Sequence, residues 1–113
     1  MEEQLGAYSA SKSALLSIVR TAALEHARHG LRINAVCPGI VDTPLLRKHI
    51  DSLADPAAAD LAMRRRMPTG AITRPEEVAA MLRFLVEPAA SGLSGAALVV
   101  DGGLTSTYDF GSA

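Results

Sequence analysis

A tyrosine and a lysine that could move a proton lie four residues apart near the start of the chain, at Tyr8 and Lys12. In a helix, residues at this spacing leave the same face, one turn apart. A fixed ammonium group favours the ionised form of a neighbouring phenol, so Tyr8 could give or take a proton near neutral pH. A single Tyr-x-x-x-Lys also arises by chance, and on its own it is more typical of a tyrosine that anchors a helix to a core.

A helix, a strand and a loop are predicted to position this pair. The run from Tyr8 to about His29 contains no internal glycine or proline and predicts a helix that ends at Gly30. One face of that helix is predicted to be packed and rigid, formed by residues 8, 12, 15, 16, 19 and 23. The apolar residues 31–36 predict a buried strand, which ends before Pro38 and Gly39.

The second half of the chain repeats this order of helix and strand. Residues 74–87 predict a helix, which begins either with Thr73 as its cap or with Pro75 at the first helical position. Residues 96–100 predict a second buried strand. Helices that alternate with buried strands predict an α/β fold with a parallel sheet.

The loop after the first predicted strand is suited to a ligand, because ligands of parallel sheets bind beyond the carboxyl ends of the strands. Gly39 would let the backbone approach a ligand closely, Pro38 would stiffen the exit, and Thr43 would supply a hydroxyl. From these residues alone, an ordinary turn is an equally good interpretation.

Residues 45–67 predict one or two short helices with a break at Asp55-Pro56. The basic run Arg64-Arg65-Arg66 is interpreted as a solvated face, with phosphate contact as the alternative. The tail from Leu104 to Ala113 is predicted to be irregular.

Four segments occur in the order and spacing of the short-chain dehydrogenase/reductase family, which the chain closely resembles. The segments are Ala7-Tyr8-Ser9-Ala10-Ser11-Lys12, Leu31-Arg32-Ile33-Asn34-Ala35-Val36-Cys37-Pro38-Gly39-Ile40-Val41-Asp42-Thr43-Pro44, Arg74-Pro75-Glu76-Glu77-Val78-Ala79 and Val99-Val100-Asp101-Gly102-Gly103. The resemblance implies the C-terminal portion of a doubly wound Rossmann-type parallel sheet. It also implies NAD or NADP as cofactor and a small-molecule carbonyl or alcohol as substrate.

The resemblance assigns roles to individual residues. Tyr8 would be the general acid/base, and Lys12 would assist it and hold the ribose hydroxyls of the nicotinamide half of the cofactor. The backbone of Ile40 and the side chain of Thr43 would hold the carboxamide. The adjoining wall would be formed by Pro38 and Gly39. Residues at about 44–68 would be the lid over the substrate.

The resemblance covers residues 1–113, interpreted as part of an NAD(P)-binding domain that lacks the family's glycine-rich loop and catalytic serine. The isolated chain is therefore expected to be inactive and to bind nicotinamide nucleotides negligibly. An unpaired sheet edge and an uncovered apolar helix flank predict a homo-oligomer. The alternative function is a non-catalytic, truncated remnant that acts as an association module.

Composition excludes several other function classes. The formal net charge is −1, from 11 basic and 12 acidic residues, so neither nucleic acid nor a membrane surface is expected as a partner. The single cysteine, Cys37, fits a reducing compartment, and a cytoplasmic protein is predicted. No metal site is predicted, since His26 and His29 suit the end of a helix and His49 has no ligand-spaced partner. Neither the substrate nor the choice between NAD and NADP can be read from these residues.

Overall fold

The structure, a computed structural model, describes residues 5–106 and has the predicted α/β architecture. Two strands form a two-stranded parallel sheet, and four helices occur along the described residues. In chain order the elements are α1 (Gly6–His26), β1 (Ala35–Pro38), α2 (Pro44–Asp51), α3 (Pro56–Arg66), α4 (Pro75–Leu85) and β2 (Ala97–Val100). The segment 45–67 therefore forms two helices. Tyr108 and Phe110, in the tail predicted to be irregular, lie outside the described residues.

The chain divides into two compact units, which are described separately. The first unit comprises the described residues up to Val36 together with Arg83–Leu98. The second comprises Cys37–Leu82 together with the residues from Val99 onward.

In the first unit, α1 passes into a 3₁₀ turn over Ala27–His29, and the turn ends at Gly30 with a φ of 76°. This is the left-handed conformation in which glycine is favoured, and the prediction that Gly30 ends the helix is confirmed. Ala23 is the buried residue of α1. A Cβ added to Gly95 would lie 3.5 Å from the Cβ of Ala23, an ordinary van der Waals contact, so the two segments lie side by side there.

The predicted packed face of α1 is found only in its C-terminal half, where Ala23 is buried and Leu16 and Val19 are half-buried, and it is wrong for residues 8, 12 and 15, which are exposed. Tyr8 is 59% exposed and Leu15 is 50% exposed. A helix of 21 residues is about 31 Å long, whereas a strand of four residues spans about 13 Å. The sheet is therefore too small to cover the length of the helix.

The first strand begins at Ala35, not at Leu31 as predicted. Before Ala35, side chains bind backbone groups that would otherwise pair strand with strand. The Asn34 side chain donates from Nδ2 to the Leu93 carbonyl (2.9 Å) and accepts at Oδ1 from the Ala96 amide (3.1 Å). Regular pairing starts only beyond this bridge, where the Ala35 amide donates to the Ala96 carbonyl (2.8 Å). Similarly, the second strand begins one residue later than predicted.

The guanidinium of half-buried Arg32 closes the end of α4. It donates to the carbonyls of Leu85 (2.9 Å), Ala90 (2.8 Å) and Leu93 (3.2 Å). Leu85 is the last residue of α4, so its carbonyl has no partner further along the helix. One rigid, planar side chain thus satisfies three carbonyls across a turn. α4 ends at this residue, two residues earlier than predicted.

In the second unit, α4 begins at Pro75, which confirms one of the two predicted helix starts. The Arg74 amide donates to Glu77 Oε2 (3.4 Å), so Glu77 reaches back to the residue before the helix. Thr73 is not the cap. It is 2% exposed and pairs with Val41 in an isolated parallel bridge.

A turn after β2 is organised by the carboxylate of Asp101, which is 6% exposed. It accepts hydrogen bonds from the amides of Gly103 (2.9 Å) and Thr105 (2.9 Å) and from the Thr105 hydroxyl (2.6 Å). The Thr105 donors, and the Gly103 amide to a smaller extent, hold the pKa of Asp101 below its ordinary value of 3.8. The ionised carboxylate is therefore the form that stabilises this turn.

We predict that Arg32→Met lowers the free energy of unfolding by about 1–3 kcal/mol, because three carbonyls lose a charged donor. Arg32→Lys should recover only part of the loss, since an ammonium group lacks the planar fork. Urea unfolding followed by circular dichroism measures both changes. Arg28→Met, which removes an exposed arginine of the same unit, is the control, and an equal loss in the control would contradict the assignment.

We predict that Asp101→Asn destabilises the chain at pH 7, because an amide offers one acceptor oxygen where the carboxylate offers two. A lowered pKa means that the wild-type contribution is present above pH 3.8 and is lost as the pH falls through the folded-state pKa. The difference between wild type and variant should therefore shrink below that pH. Thermal unfolding across the range measures it, with the exposed Asp51→Asn as control; a difference that stays constant down to pH 2 would refute the account.

Candidate functional site

Tyr8 and Lys12 lie on α1, in the first unit, and face each other. The Lys12 ammonium nitrogen lies over the Tyr8 ring, 5.6 Å from its centroid. This distance is within the range in which a cation and an aromatic ring attract each other. The Tyr8 side chain is exposed, so the phenol is accessible to a reacting molecule. The pair therefore combines an accessible proton donor with a nearby fixed charge.

The loop that follows β1 lies in the second unit and passes very close to Asp101. Pro38 is the last residue of β1, and the Gly39 amide donates to the Val100 carbonyl (3.2 Å). A Cβ added to Gly39 would lie 2.7 Å from the Cβ of Asp101 and 3.1 Å from its Cα. No real Cβ tolerates these distances, so only glycine fits at this position without a shift of the backbone.

The middle of the loop is attached to Thr73 through the main chain. Ile40 accepts at its carbonyl from the Thr73 amide (3.1 Å), and the Asp42 amide donates to the Thr73 carbonyl (2.8 Å). The Thr73 hydroxyl is itself buried and without a hydrogen-bond partner. The backbone path of the loop is thus fixed at three successive points, Gly39, Ile40 and Asp42.

Thr43 ends the loop and begins α2. Its hydroxyl oxygen accepts from the Leu46 amide (3.2 Å), which makes Thr43 the N-cap of the helix. A hydroxyl has two lone pairs and one hydrogen, so the cap leaves the hydrogen and one lone pair for another partner. Thr43 can therefore cap α2 and contact a ligand at the same time.

The structure brings the predicted site residues together in two groups. Tyr8 and Lys12 are neighbours in the first unit, and Pro38, Gly39, Ile40 and Thr43 follow one another in the second.

Four charged residues beside the loop were missed by sequence reasoning. They form one ionic cluster, made of Asp42, Arg47, Asp60 and Arg64. Hydrogen bonding to Arg47 lowers the pKa of Asp42. Hydrogen bonds from Arg64, first, and from Arg47 lower the pKa of Asp60, so both carboxylates are ionised at neutral pH.

The spacing of Asp60 and Arg64 at i and i+4 could have identified the outer pair of this cluster. The pairing of Arg47 with Asp42 has no comparable pattern, because it joins a loop to a helix. Arg64 had been interpreted as part of a solvated basic run, and its ion pair with Asp60 corrects this.

Within residues 5–106, no helix is long and apolar enough to cross a membrane. The same described residues contain no group of three or more histidine, cysteine, aspartate or glutamate side chains that could hold a metal ion.

Comparison with known proteins identifies the family. Residues 1–105 match the model of a family described as enoyl-(acyl carrier protein) reductase. A short-chain dehydrogenase of Neurospora crassa is 42% identical over 98 residues, which are 87% of this chain and 35% of the relative. A cis-4-hydroxycyclohexanecarboxylate dehydrogenase of Sinomonas cyclohexanicum is 45% identical over 98 residues, 87% of this chain and 37% of the relative.

Solved structures agree with this result. The ligand-free aldohexose dehydrogenase of Thermoplasma acidophilum superposes with a TM-score of 0.89 at 33% identity, over 100% of this chain and 46% of that one. The chain spans about a third of the length of the curated relatives that it matches. The extent of the family match and the shared fold together show that the chain belongs to the short-chain dehydrogenase/reductase family.

Proposed function

We propose that the chain supplies the proton-transfer pair, the cofactor loop and the substrate lid of an NAD(P)-dependent oxidoreductase that acts on a carbonyl or alcohol. The observation that carries the proposal is the position of the Lys12 ammonium over the ring of the exposed Tyr8. The family's dehydrogenases support a general oxidoreductase role. One of these relatives is named for a hydroxylated carboxylate, which has the substrate chemistry proposed here.

In this proposal Tyr8 gives a proton to the substrate oxygen in reduction and takes it back in oxidation. Lys12 assists Tyr8 as the neighbouring positive charge and binds the ribose hydroxyls. The nicotinamide, when bound, supplies or accepts the hydride. The protein's task is therefore to keep the phenol and the ammonium group close together, which their positions one helical turn apart favour.

The loop residues suit a nicotinamide ring. The side of Gly39 that lacks a side chain is taken up by Asp101, so the wall beside the ring is proposed to rest on Pro38, which fixes the direction in which the chain leaves β1. The Ile40 backbone and the remaining hydroxyl valences of Thr43 are proposed to bind the carboxamide. That amide offers both a donor and an acceptor, which a hydroxyl can match.

The remaining parts of the proposal concern organisation. Helices α2 and α3 are assigned to the substrate lid, within one partial nucleotide-binding domain that spans residues 1–113. A cytoplasmic location rests on the single cysteine, Cys37.

A homo-oligomer is supported by the exposed apolar side chains of α1, which are Leu15, Ile18 and Leu24. These exposed side chains would also serve the alternative function, an association module without catalysis.

We predict that Tyr8→Phe lowers kcat by about 10²–10⁴-fold in the enzyme that carries this chain, because the ring stays and the proton is lost. Lys12→Met should lower kcat and also raise KM for the nicotinamide cofactor, since Lys12 has two assigned roles. Steady-state kinetics with NADH and NADPH measure both parameters. Arg20→Met removes a different positive charge from α1 and is the matched control.

Turnover close to wild type in Tyr8→Phe would contradict the proposal and leave Tyr8 as a structural residue. A loss of the same size in Arg20→Met would show that the effect comes from the charge of α1 and not from the pair.

We predict that the chain self-associates and that Ile18→Glu shifts it toward the monomer, because Ile18 is 61% exposed on α1 and a buried carboxylate is costly. Sedimentation velocity over a range of concentrations measures the shift. Leu45→Glu, at a residue of α2 that is 78% exposed, is the control. A monodisperse monomer at every concentration would refute self-association.

A further inference from the structure

The ionic cluster joins three consecutive segments of the second unit. Arg47 donates from Nε to Asp42 Oδ1 (2.7 Å) and from Nη2 to Asp42 Oδ2 (2.9 Å), which is a bidentate pair. Its Nη1 donates to Asp60 Oδ1 (2.6 Å), and Arg64 Nε donates to Asp60 Oδ2 (2.7 Å). The cofactor loop, α2 and α3 are therefore connected through one guanidinium group, that of Arg47.

This cluster differs from an ordinary surface ion pair. Isolated exposed ion pairs contribute little to stability, whereas pairs with bidentate geometry and pairs linked in a network contribute more. The side chains of the cluster are 27–41% exposed. By contrast, in another ion pair of this unit, Arg74 with Glu77, the Arg74 side chain is 68% exposed and the two residues lie three apart in one segment. The cluster is thus the ionic contact of this unit that is best placed to hold two elements together.

The two lid helices have little other support. Helix α2 has eight residues, of which Ile50 is the buried one, and α3 has 11 residues with none buried. Helices this short are not stable alone and depend on contacts with the rest of the protein. In α3 the apolar residues Pro56, Ala59 and Met63 are only half-buried, so the ion pairs of Asp60 add to a weak apolar contact.

A displacement of the lid helices would affect Thr43, because Thr43 caps α2. Thr43 lies between Asp42, which Arg47 binds, and Leu46, whose amide binds the Thr43 hydroxyl. Asp42 is also fixed by the hydrogen bond that its backbone amide donates to the Thr73 carbonyl. If α2 moves away from Asp42, the Leu46 amide moves with it, and the direction of the Thr43 hydroxyl must change.

We propose that Arg47 is a positioning residue that latches the lid helices α2 and α3 to the cofactor loop and thereby fixes the Thr43 hydroxyl toward the nicotinamide carboxamide. The role of Thr43 in this statement rests on the proposed function above. The latch itself does not, because it is a property of the chain without any ligand.

Amide hydrogen exchange of the 113-residue chain tests the latch directly. In Arg47→Met, the amides of Leu46 and Ala58, which donate to the caps of α2 and α3, should exchange about tenfold faster. Amides of β2 and the Asp101 turn should keep their wild-type rates. Arg47→Lys should give an intermediate rate, since it keeps the charge and loses the bidentate fork.

The matched control is Arg65→Met, which removes an exposed arginine of α3 that lies next to the cluster in sequence. Added salt gives a second readout: it should speed exchange of the lid amides in wild type and have a much smaller effect in Arg47→Met. Lid exchange that is unchanged in Arg47→Met, or equally fast in Arg65→Met, would overturn the latch. If Arg47→Met unfolds the whole chain, Arg64→Met decides, because it must speed exchange in α3 while β2 stays protected.

Cofactor kinetics separate the two parts of the proposal. In the enzyme that carries this chain, Arg47→Met should raise KM for NADH or NADPH severalfold more than it lowers kcat. Faster lid exchange with an unchanged KM would overturn the link to Thr43. A wild-type enzyme without nicotinamide-dependent activity would instead refute the proposed function, while the exchange results would still decide the latch.

Discussion

The carboxylate of Asp101 is the group on which the geometry of the second unit depends most. Its two oxygens accept three hydrogen bonds from Gly103 and Thr105, which fixes the turn after β2. Its Cβ also limits the path of the loop after β1. The backbone of Gly39 passes so close to this Cβ that a Cβ on residue 39 would not fit between them. Asp101 therefore acts on both segments, on the turn through its ionised carboxylate and on the start of the loop after β1 through its Cβ and Cα.

The sequence predicted the type and order of the elements well, because these follow from apolar runs and from glycine and proline. Gly30 and Pro75 mark a helix end and a helix start as expected. The boundary of β1 could not be predicted in the same way. Asn34 and Arg32 have the polar side chains of any surface residue, yet each binds backbone carbonyls about 60 residues away in the chain. Such distant partners have no local sequence pattern, and they decide where regular pairing begins.

The candidate site shows the same division. The proximity of Tyr8 and Lys12 could be predicted from their spacing alone, since a helix places residues four apart on one face. The position of Thr43 could not be predicted in this way, because the helix that it caps is held through its own Arg47 by Asp42 and Asp60, which lie in other segments. The exposure of α1 was also unpredictable from its own composition. An apolar stripe predicts that a helix can be buried, while the amount of surface available to cover it is a property of the whole fold.

The two ends of the loop after β1 are held by different forces. Gly39 is fixed by close packing against Asp101, which salt does not screen, and Thr43 is held beside a cluster of half-buried charges, which salt screens in part. Packing allows almost no displacement, because even one added carbon atom would have to displace the backbone. The ion pairs hold α2 while they are formed, but they can break without any displacement of packed backbone. The backbone at Gly39 can thus stay rigid while α2, the helix that Thr43 caps, moves, so a loop of only five residues can combine a fixed end with a movable one.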